Sequence, residues 1–436
     1  MAGLARVLIR SFFRDVEVEH GERIISGRPT VVVADHRNGL VDGLLLIAAL
    51  GRYPRFLGKS TLFRNPLLWP FLHLGGVVPI YRTQDGGSPE GNRRAFARCH
   101  RLLAAGGMVV VFPEGISHDE PTLQPLRTGA ARLALSAADD GVADVETVAV
   151  ALIYDDKQRF RSRALVRVGL PSPTQPWMAS YRDDEPGTVR ALTTDLAGRL
   201  RRDGSEYASW AQANRLASIA EVVVRPASVL PGPISLVEQR QVVDGLRRAM
   251  EGPGRRGAAA SLESAHAAYA QLLDGLGLID AQVAAAYGPG GLRWELARAV
   301  TKVAVALPFA LVGVAVHAVP YGVVKLASGV PANVGMRATV KVLGSFFLYV
   351  VTYIIVGVTV GAAWGVGWGL LASVAAPLSG ALALGMIERI HRLGGAIAGY
   401  RAMRADGPIT EIIRARRAAV VDTARQVLDA NLTRSP

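Results

Sequence analysis

Residues 30–42 of the chain are Thr-Val-Val-Val-Ala-Asp-His-Arg-Asn-Gly-Leu-Val-Asp. The β-branched run over residues 30–34 predicts a strand, and the apolar residues 40–50 predict a helix. The polar turn between them contains His36. Because ligands of α/β proteins bind where the strands of the sheet end, this turn is a candidate functional site.

Outward from this stretch, short apolar runs alternate with helical patterns as far as residue 171. Alternation at this spacing predicts an α/β domain over residues 1–171, with a mixed sheet flanked by helices. Residues 4–13 predict an amphipathic helix rather than a signal peptide, because arginines interrupt the apolar residues. The predicted strands are residues 30–34, 76–81, 108–112, 145–153 and 164–168, and the predicted helices are 40–50, 92–105 and 127–138.

The rest of the chain differs from this domain. Residues 172–297 carry polar helical patterns, which predict a helical extension. Residues 298–393 contain two runs without charged residues, 303–324 and 342–387, and predict an α-helical membrane region, since about 20 residues cross a bilayer. The second run is long enough for a hairpin, whereas the first contains two prolines and is either a span or a re-entrant or interfacial segment. Residues 394–436 predict a basic cytosolic tail.

Glycine repeats every fourth residue within the second run, at Gly357, Gly361, Gly365 and Gly369. On a single helix these residues would form a smooth groove that admits a close partner helix. Alternatively, the last two glycines form the turn of the hairpin. The repeat therefore predicts helix pairing, either within one chain or between two chains of a homo-oligomer.

The composition indicates a membrane protein. Half of the 436 residues are hydrophobic and 19% are charged, whereas an average domain carries about 25% charge. The net charge of +13 favours nucleic acid or anionic membrane as a partner, and the apolar runs favour the membrane over nucleic acid. Basic residues flank both ends of residues 342–387, so the positive-inside rule predicts cytosolic ends and an even number of crossings. The single cysteine, Cys99, excludes an intrachain disulfide.

His36 and Asp42 are the candidate catalytic pair. Asp42 lies in the first turn of the predicted helix, where the helix dipole favours a carboxylate, and it can reach back to the imidazole. A histidine held in one tautomer by a carboxylate is a general base for an alcohol. On spacing alone, the favoured alternative is an ordinary acidic residue at a helix N-terminus. Asp35 ranks below Asp42 as the partner of His36.

Two further blocks follow predicted strands. Residues 112–118 are Phe-Pro-Glu-Gly-Ile-Ser-His, a turn whose Glu114 and backbone N–H groups can hold a polar substrate. Residues 75–82 are Gly-Gly-Val-Val-Pro-Ile-Tyr-Arg. Their Arg82 is suited to bidentate phosphate binding, although a surface arginine is the usual alternative. The histidines and acidic residues form no recognisable set of metal ligands.

These blocks, in this order, resemble the glycerolipid acyltransferases, which include glycerol-3-phosphate and lysophosphatidate acyltransferases. Residues 148–154 fall at the family's fourth block, and the resemblance covers roughly residues 5–290. Most members place four residues between the histidine and the aspartate, whereas five intervene here. In this spacing, and in the membrane segments after the catalytic domain, the chain is similar to a branch of bacterial and fungal-type glycerol-3-phosphate or dihydroxyacetone-phosphate acyltransferases.

The resemblance implies a membrane-bound O-acyltransferase of phospholipid synthesis, on the cytosolic face of a bacterial plasma membrane. It implies that His36 is the general base and that Asp42 stabilises the imidazolium. An acyl-CoA or acyl carrier protein thioester would be the co-substrate, with no cofactor and no metal. An apolar channel would hold the acyl chain, and residues 62–72 form either part of its wall or a segment that dips into the leaflet. The substrate-binding residues that it implies are Asn38, Lys59, Arg82, Glu114, Gly115 and Arg127.

The sequence leaves open the identity of the acceptor and whether the protein is an active enzyme. The acceptor is glycerol-3-phosphate in the first hypothesis, and lysophosphatidate, dihydroxyacetone phosphate or another lysophospholipid in the second. A hypothesis of another class is an inactive membrane protein that binds lipid or scaffolds partners. The additional residue between His36 and Asp42 supports this third hypothesis, whereas the polar residues retained in all four blocks argue against it.

Overall fold

The computed structural model describes residues 2–66, 68–81, 89–204, 206–226, 232–251, 256–285, 289–330, 334–403 and 407–432. The chain forms two compact units. The first comprises residues 1–208 and 325–344, and the second comprises residues 209–324 and 345–436.

The first unit is built on a sheet of eight strands, which are β1 (Asp15–Glu19), β2 (Thr30–Ala34), β3 (Arg55–Lys59), β4 (Val78–Ile80), β5 (Met108–Val111), β6 (Glu146–Tyr154), β7 (Arg163–Val168) and β8 (Ser172–Pro173). Their order in the sheet is β1-β7-β6-β2-β5-β3-β4, with β8 paired to β6. Its central strands β2, β5 and β6 run parallel, whereas β7 and β8 run antiparallel to β6. The predicted mixed sheet is therefore confirmed.

Helices flank this sheet, as predicted. They are α1 (Ala2–Phe12), α2 (Leu40–Ala49), α3 (Trp69–Leu74), α4 (Pro89–Ala104), α5 (Gly129–Asp139), α6 (Met178–Asp183) and α7 (Glu185–Asp203). Leu192, Leu196 and Leu200 recur every fourth residue of α7, so they share one helix face, and that face is buried in the same core as Val31 and Val33 of β2. The layer that covers the sheet thus continues past residue 171, and the division at that residue stays a prediction.

Three strands of this sheet, β1, β3 and the two-residue β8, do not appear among the predicted strands. In β1, acidic residues alternate with two valines, and the strand lies at the edge of the sheet beside β7. Charged side chains on an edge strand oppose pairing with another chain, but they also weaken the apolar alternation by which a strand is predicted.

Helices form the second unit. They are α8 (Trp210–Val224), α9 (Leu236–Glu251), α10 (Arg256–Leu276), α11 (Asp280–Val283), α14 (Val366–Met403) and α15 (Pro408–Leu432), together with parts of α12 (Pro289–Ala327) and α13 (Val334–Trp364). Helix α15 packs against α8, α9 and α10, so this part of the predicted basic tail is an integral part of a helical bundle. Asp280 of α11 links α15 to α10, because its carboxylate accepts a hydrogen bond from Arg417 Nε of α15 at 2.8 Å and one from the Tyr269 hydroxyl of α10 at 2.9 Å.

Among the described residues, three helical segments are long and apolar enough to cross a membrane: Ala297–Ala327, Arg337–Trp364 and Val366–Met403. The predicted hairpin is present, because α13 and α14 meet at Gly365, whose φ is +98°. A Cβ added to Gly369 would lie 2.5 Å from the Gly357 carbonyl oxygen. The glycines therefore serve both predicted purposes, since Gly365 forms the turn and its neighbours let two helices of one chain approach closely.

Candidate active site

The turn after β2 brings His36 and Asp42 together. Gly39 adopts φ 56° and ψ −131° directly before α2, a conformation that glycine reaches without the steric cost of a Cβ. The chain thus reverses, and Asp42 in the first turn of α2 faces back toward β2. Its Oδ2 lies 2.9 Å from His36 Nδ1 and accepts backbone N–H bonds from Arg37 at 2.9 Å and Asn38 at 2.7 Å.

This geometry fixes the roles of the two imidazole nitrogens. Asp42 is fully buried, and its carboxylate faces Nδ1, so Nδ1 carries the proton and Nε2 carries the lone pair. The His36 ring stacks on Phe112, with the ring centroids 4.2 Å apart and the planes at 19°. The side chain of His36 is 20% exposed, which leaves it accessible to a substrate. A spacing of five residues is therefore compatible with the dyad.

Asp35 has different partners. It accepts hydrogen bonds from Arg37 Nε at 2.9 Å and from the Leu152 backbone N–H at 2.7 Å. Burial raises the pKa of Asp35 to about 6, although the positive charge of Arg37 opposes that rise. The carboxylate at the imidazole is that of Asp42.

Glu114 ties the loop after β5 to the turn that carries His36. Its buried carboxylate accepts the His36 backbone N–H at 2.8 Å and the Gln124 backbone N–H at 2.9 Å, and it contacts the His118 ring. The next residue, Gly115, has φ +73°. Glu114 thus holds the backbone beside the imidazole.

An apolar cavity of about 340 Å³ opens beside His36 in the first unit. Lys59, at the end of β3, and Gly115 also line it. The apolar lining comes from α2, β3, α3 and their neighbours, and includes Leu40, Leu44, Ile47, Phe56, Leu62, Phe71 and Leu72. This lining agrees with the prediction that residues 62–72 supply part of the wall. Thr339, which the sequence did not indicate, lines the same cavity.

The other predicted site residues lie as follows. Asn38 is buried, and its Nδ2 donates to the Lys157 carbonyl oxygen at 3.1 Å, while its Oδ1 has no hydrogen-bond partner among the described residues. Arg127 is exposed, and its backbone N–H donates to the Pro113 carbonyl oxygen. Arg82 lies outside the described residues.

The sequence analysis missed Tyr154, which ends β6. Its hydroxyl donates a hydrogen bond to Asp42 Oδ1, the carboxylate oxygen that does not face His36. Burial and the negative charge of Asp42 raise the pKa of Tyr154 well above its usual value. The signal was available, since Tyr154 closes the fourth of the four sequence blocks.

The described residues also bear on two other kinds of site, a metal site and a cysteine nucleophile. No group of three or more histidine, cysteine, aspartate or glutamate residues there has the geometry of a metal site. Cys99 is buried in α4, and burial raises the pKa of its thiol to about 12. Since the thiolate is the nucleophile, a protonated buried thiol is unreactive.

A family model, several curated proteins and a solved structure are similar to this chain. A family model described as Acyltransferase matches residues 15–153. Glycerol-3-phosphate O-acyltransferase 2 of Saccharomyces cerevisiae is 35% identical over 111 residues, which make up 25% of this chain and 15% of that protein. A chloroplastic 1-acyl-sn-glycerol-3-phosphate acyltransferase of Arabidopsis thaliana is 30% identical over 142 residues, 32% of this chain and 37% of that protein. The crystal structure of the 1-acyl-sn-glycerophosphate acyltransferase PlsC from Thermotoga maritima is 18% identical, with a TM-score of 0.33, and covers 46% of this chain and 79% of that one.

Residues 15–153 match the acyltransferase family model, and the resemblance seen in the sequence is confirmed over that region. It contains both members of the dyad and the block of residues 112–118. The two curated relatives are, by name, a glycerol-3-phosphate acyltransferase and a 1-acylglycerol-3-phosphate acyltransferase. This chain spans 15% and 37% of their respective lengths.

Proposed function

We propose that this protein transfers a fatty acyl group from an acyl thioester to a hydroxyl group of glycerol-3-phosphate. One observation carries the proposal. His36, held by a buried carboxylate, lies in the wall of an apolar cavity, so a general base and a compartment for a hydrocarbon chain are adjacent. The match of the acyltransferase family model to the same residues supports this assignment.

The proposed chemistry needs no acyl-enzyme intermediate. Nε2 of His36 removes the proton of the acceptor hydroxyl as its oxygen attacks the thioester carbonyl carbon. Asp42 stabilises the imidazolium that forms, as a buried carboxylate does in related catalytic arrangements. The tetrahedral intermediate collapses, the carbon–sulfur bond breaks, and the imidazolium returns its proton to the leaving thiolate. The products are an ester and the free thiol of coenzyme A or of acyl carrier protein.

The acceptor would bind at the polar end of the cavity. Lys59 lines the cavity together with His36, which supports a contact between its ammonium group and the acceptor phosphate. Gly115 leaves that wall without a side chain, and Glu114 would act by holding the loop. Asn38, Arg82 and Arg127 complete the proposed set of acceptor-binding residues by resemblance to the family.

A second acceptor class has its own support. The curated relatives include a 1-acylglycerol-3-phosphate acyltransferase, and lysophosphatidate presents the same phosphate together with a second hydroxyl. Lysophosphatidate, dihydroxyacetone phosphate and other lysophospholipids are therefore alternatives to be compared directly with glycerol-3-phosphate.

The proposed setting is the cytosolic face of a bacterial plasma membrane. Basic residues lie in α13 and α14 at both ends of the apolar run 342–387, which supports cytosolic ends. Helix α10 precedes the long apolar helices and α15 follows them, and these two helices pack together. The chain must then cross the membrane an even number of times.

Labelling with a membrane-impermeant maleimide tests this topology on a Cys99→Ala background. Val330→Cys lies between the first two apolar helices, and Trp364→Cys lies at the turn of the hairpin; both native side chains are exposed. We expect the first to react only from the cytosolic side and the second only from the opposite side. Labelling of both positions from one side would contradict the hairpin.

Thiol release from palmitoyl-coenzyme A tests the reaction. Purified protein in lipid nanodiscs is assayed with glycerol-3-phosphate, dihydroxyacetone phosphate and lysophosphatidate in parallel, and His36→Ala serves as the control. Release that depends on one acceptor and disappears in the variant would establish the reaction and the base. If neither coenzyme A nor acyl carrier protein thioesters support release, the enzyme proposal is wrong and the lipid-binding hypothesis takes its place.

A further inference from the structure

Asp42 has a hydrogen-bonding arrangement divided between its two oxygens. Oδ2 takes the His36 ring and the backbone N–H groups of Arg37 and Asn38. Among the described residues, the Tyr154 hydroxyl supplies the hydrogen bond to Oδ1. A carboxylate that is fully buried loses its hydration, so each of these donors replaces a water molecule that cannot reach it.

Tyr154 is itself held in place from two directions. It ends β6 and pairs with Ala164 of β7, which fixes its backbone. Its ring stacks on Phe13, with the centroids 5.7 Å apart and the planes at 24°. Phe13 is fully buried, and its carbonyl oxygen accepts a hydrogen bond from Arg161 Nη1 at 3.3 Å.

We propose that Tyr154 is a positioning residue of the dyad: its hydroxyl orients Asp42 and draws charge from Oδ1, and so sets how strongly Asp42 holds the proton on His36. This inference rests on the proposed function. The phenol keeps its proton at neutral pH, because burial and the charge of Asp42 raise the pKa of Tyr154. Tyr154 is therefore a donor to the carboxylate and takes no part in moving the substrate's proton.

Removal of the Tyr154 hydroxyl should shift the pH profile of the reaction to higher pH. In Tyr154→Phe, Asp42 keeps its charge but loses one donor, so the remaining negative charge acts more strongly on the imidazolium. His36 then holds its proton to higher pH, and a smaller fraction of the enzyme carries the free base. We expect the acid limb of the kcat/KM profile to move up by about 0.5 to 1 pH unit. We also expect kcat on the plateau to fall by about 10- to 100-fold, as for the loss of a hydrogen bond to a charged group.

If Tyr154 only stabilised the fold, Tyr154→Phe would not shift the acid limb of the pH profile. Tyr154 does not line the cavity, so KM for the thioester and for the acceptor should be unchanged in Tyr154→Phe. The matched control is Tyr181→Phe, which removes the hydroxyl group of a buried tyrosine in α6. That control should leave the pH profile unchanged. An unshifted acid limb in Tyr154→Phe, or a loss confined to KM, would overturn the proposal.

A second variant and a second readout keep the test independent of activity. Phe13→Leu retains the Tyr154 hydroxyl but removes the ring on which the Tyr154 ring stacks. We therefore expect the acid limb of the pH profile to shift in the same direction by a smaller amount. The chain has eight histidines, and the ¹³Cε1 signal of His36 can be assigned by its loss in His36→Gln. In Tyr154→Phe its titration midpoint should move to higher pH even if no acceptor is acylated. An unchanged midpoint would refute the role of Tyr154, whereas a shifted midpoint without thiol release would refute the acyl transfer alone.

Discussion

The turn at Gly39 and the turn at Gly365 both depend on a glycine with positive φ, yet different forces hold them. Around Gly39, polar donors converge on one buried carboxylate, that of Asp42. Around Gly365, the backbones of α13 and α14 approach so closely that a methyl group on Gly369 would not fit. The first region is therefore specified by charge and hydrogen bonding, whereas the second is specified by volume.

An isosteric change at Asp42 is expected to have the largest effect on the first turn. Asp42→Asn keeps the volume but places an amide among donors that need an acceptor, and it no longer stabilises an imidazolium. We expect kcat for acyl transfer to fall by about 10²- to 10⁴-fold, the range in which a general base contributes. Thiol release at saturating substrate measures this loss.

The control for Asp42→Asn is the neighbouring carboxylate. Asp35 contacts Arg37 and the Leu152 backbone rather than the imidazole, so Asp35→Asn should retain far more activity. Equal losses of kcat in the two variants would show that the dyad has no special role and that general destabilisation of the turn explains both.

In the hairpin, a change of volume without any change of charge should reduce stability. A Cβ at Gly369 would lie 2.5 Å from the Gly357 carbonyl oxygen and 2.8 Å from Gly361 Cα. We expect Gly369→Ala to destabilise the hairpin by about 1 to 3 kcal/mol, as overpacking does. Reversible unfolding in mixed micelles measures the change.

Gly367→Ala is the matched control for this change. It adds the same methyl group two residues away in the same helix, where nothing lies within 4 Å of the added Cβ. Alanine also has the higher helix propensity, so this variant should be neutral or slightly stabilising. If both variants lose the same free energy of unfolding, close approach of the two helices is not what holds the hairpin.

The two regions also differ in how far the sequence predicts them. His36 and Asp42 are six residues apart, with a turn and a helix start between them, so local patterns show that the two side chains can meet. The resemblance to the acyltransferase family, rather than the spacing alone, gives them their role as a pair. Tyr154 is separated from Asp42 by 112 residues. The pairing of β6 beside β2 brings them together, and strand order is a tertiary property that hydrophobic periodicity does not contain.

The role of Glu114 illustrates the same limit. Its sequence block predicts that it holds a polar substrate, whereas the structure shows its carboxylate accepting bonds from the backbone of His36 and of Gln124. Which polar groups a buried carboxylate satisfies depends on the loops packed around it. A sequence pattern can therefore mark Glu114 as part of the site without giving its partners.

The smallest expected effect concerns the start of α13, the helix that forms one arm of the hairpin. The start of α13 belongs to the same compact unit as the sheet, and Lys341 Nζ donates to the Gln158 carbonyl oxygen at 2.6 Å. Lys341→Met keeps the aliphatic length but removes this donor, so we expect a loss of about 0.5 to 1.5 kcal/mol in the free energy of unfolding of the sheet unit. Lys325→Met removes the same charge from the last turn of α12, in the same compact unit, and should have no comparable effect. Since Thr339 of α13 lines the cavity, Lys341→Met should also raise KM for the acyl thioester about twofold while kcat is unchanged. If the two methionine variants lower stability equally, the lost charge is responsible and the start of α13 is not held to the sheet unit by Lys341.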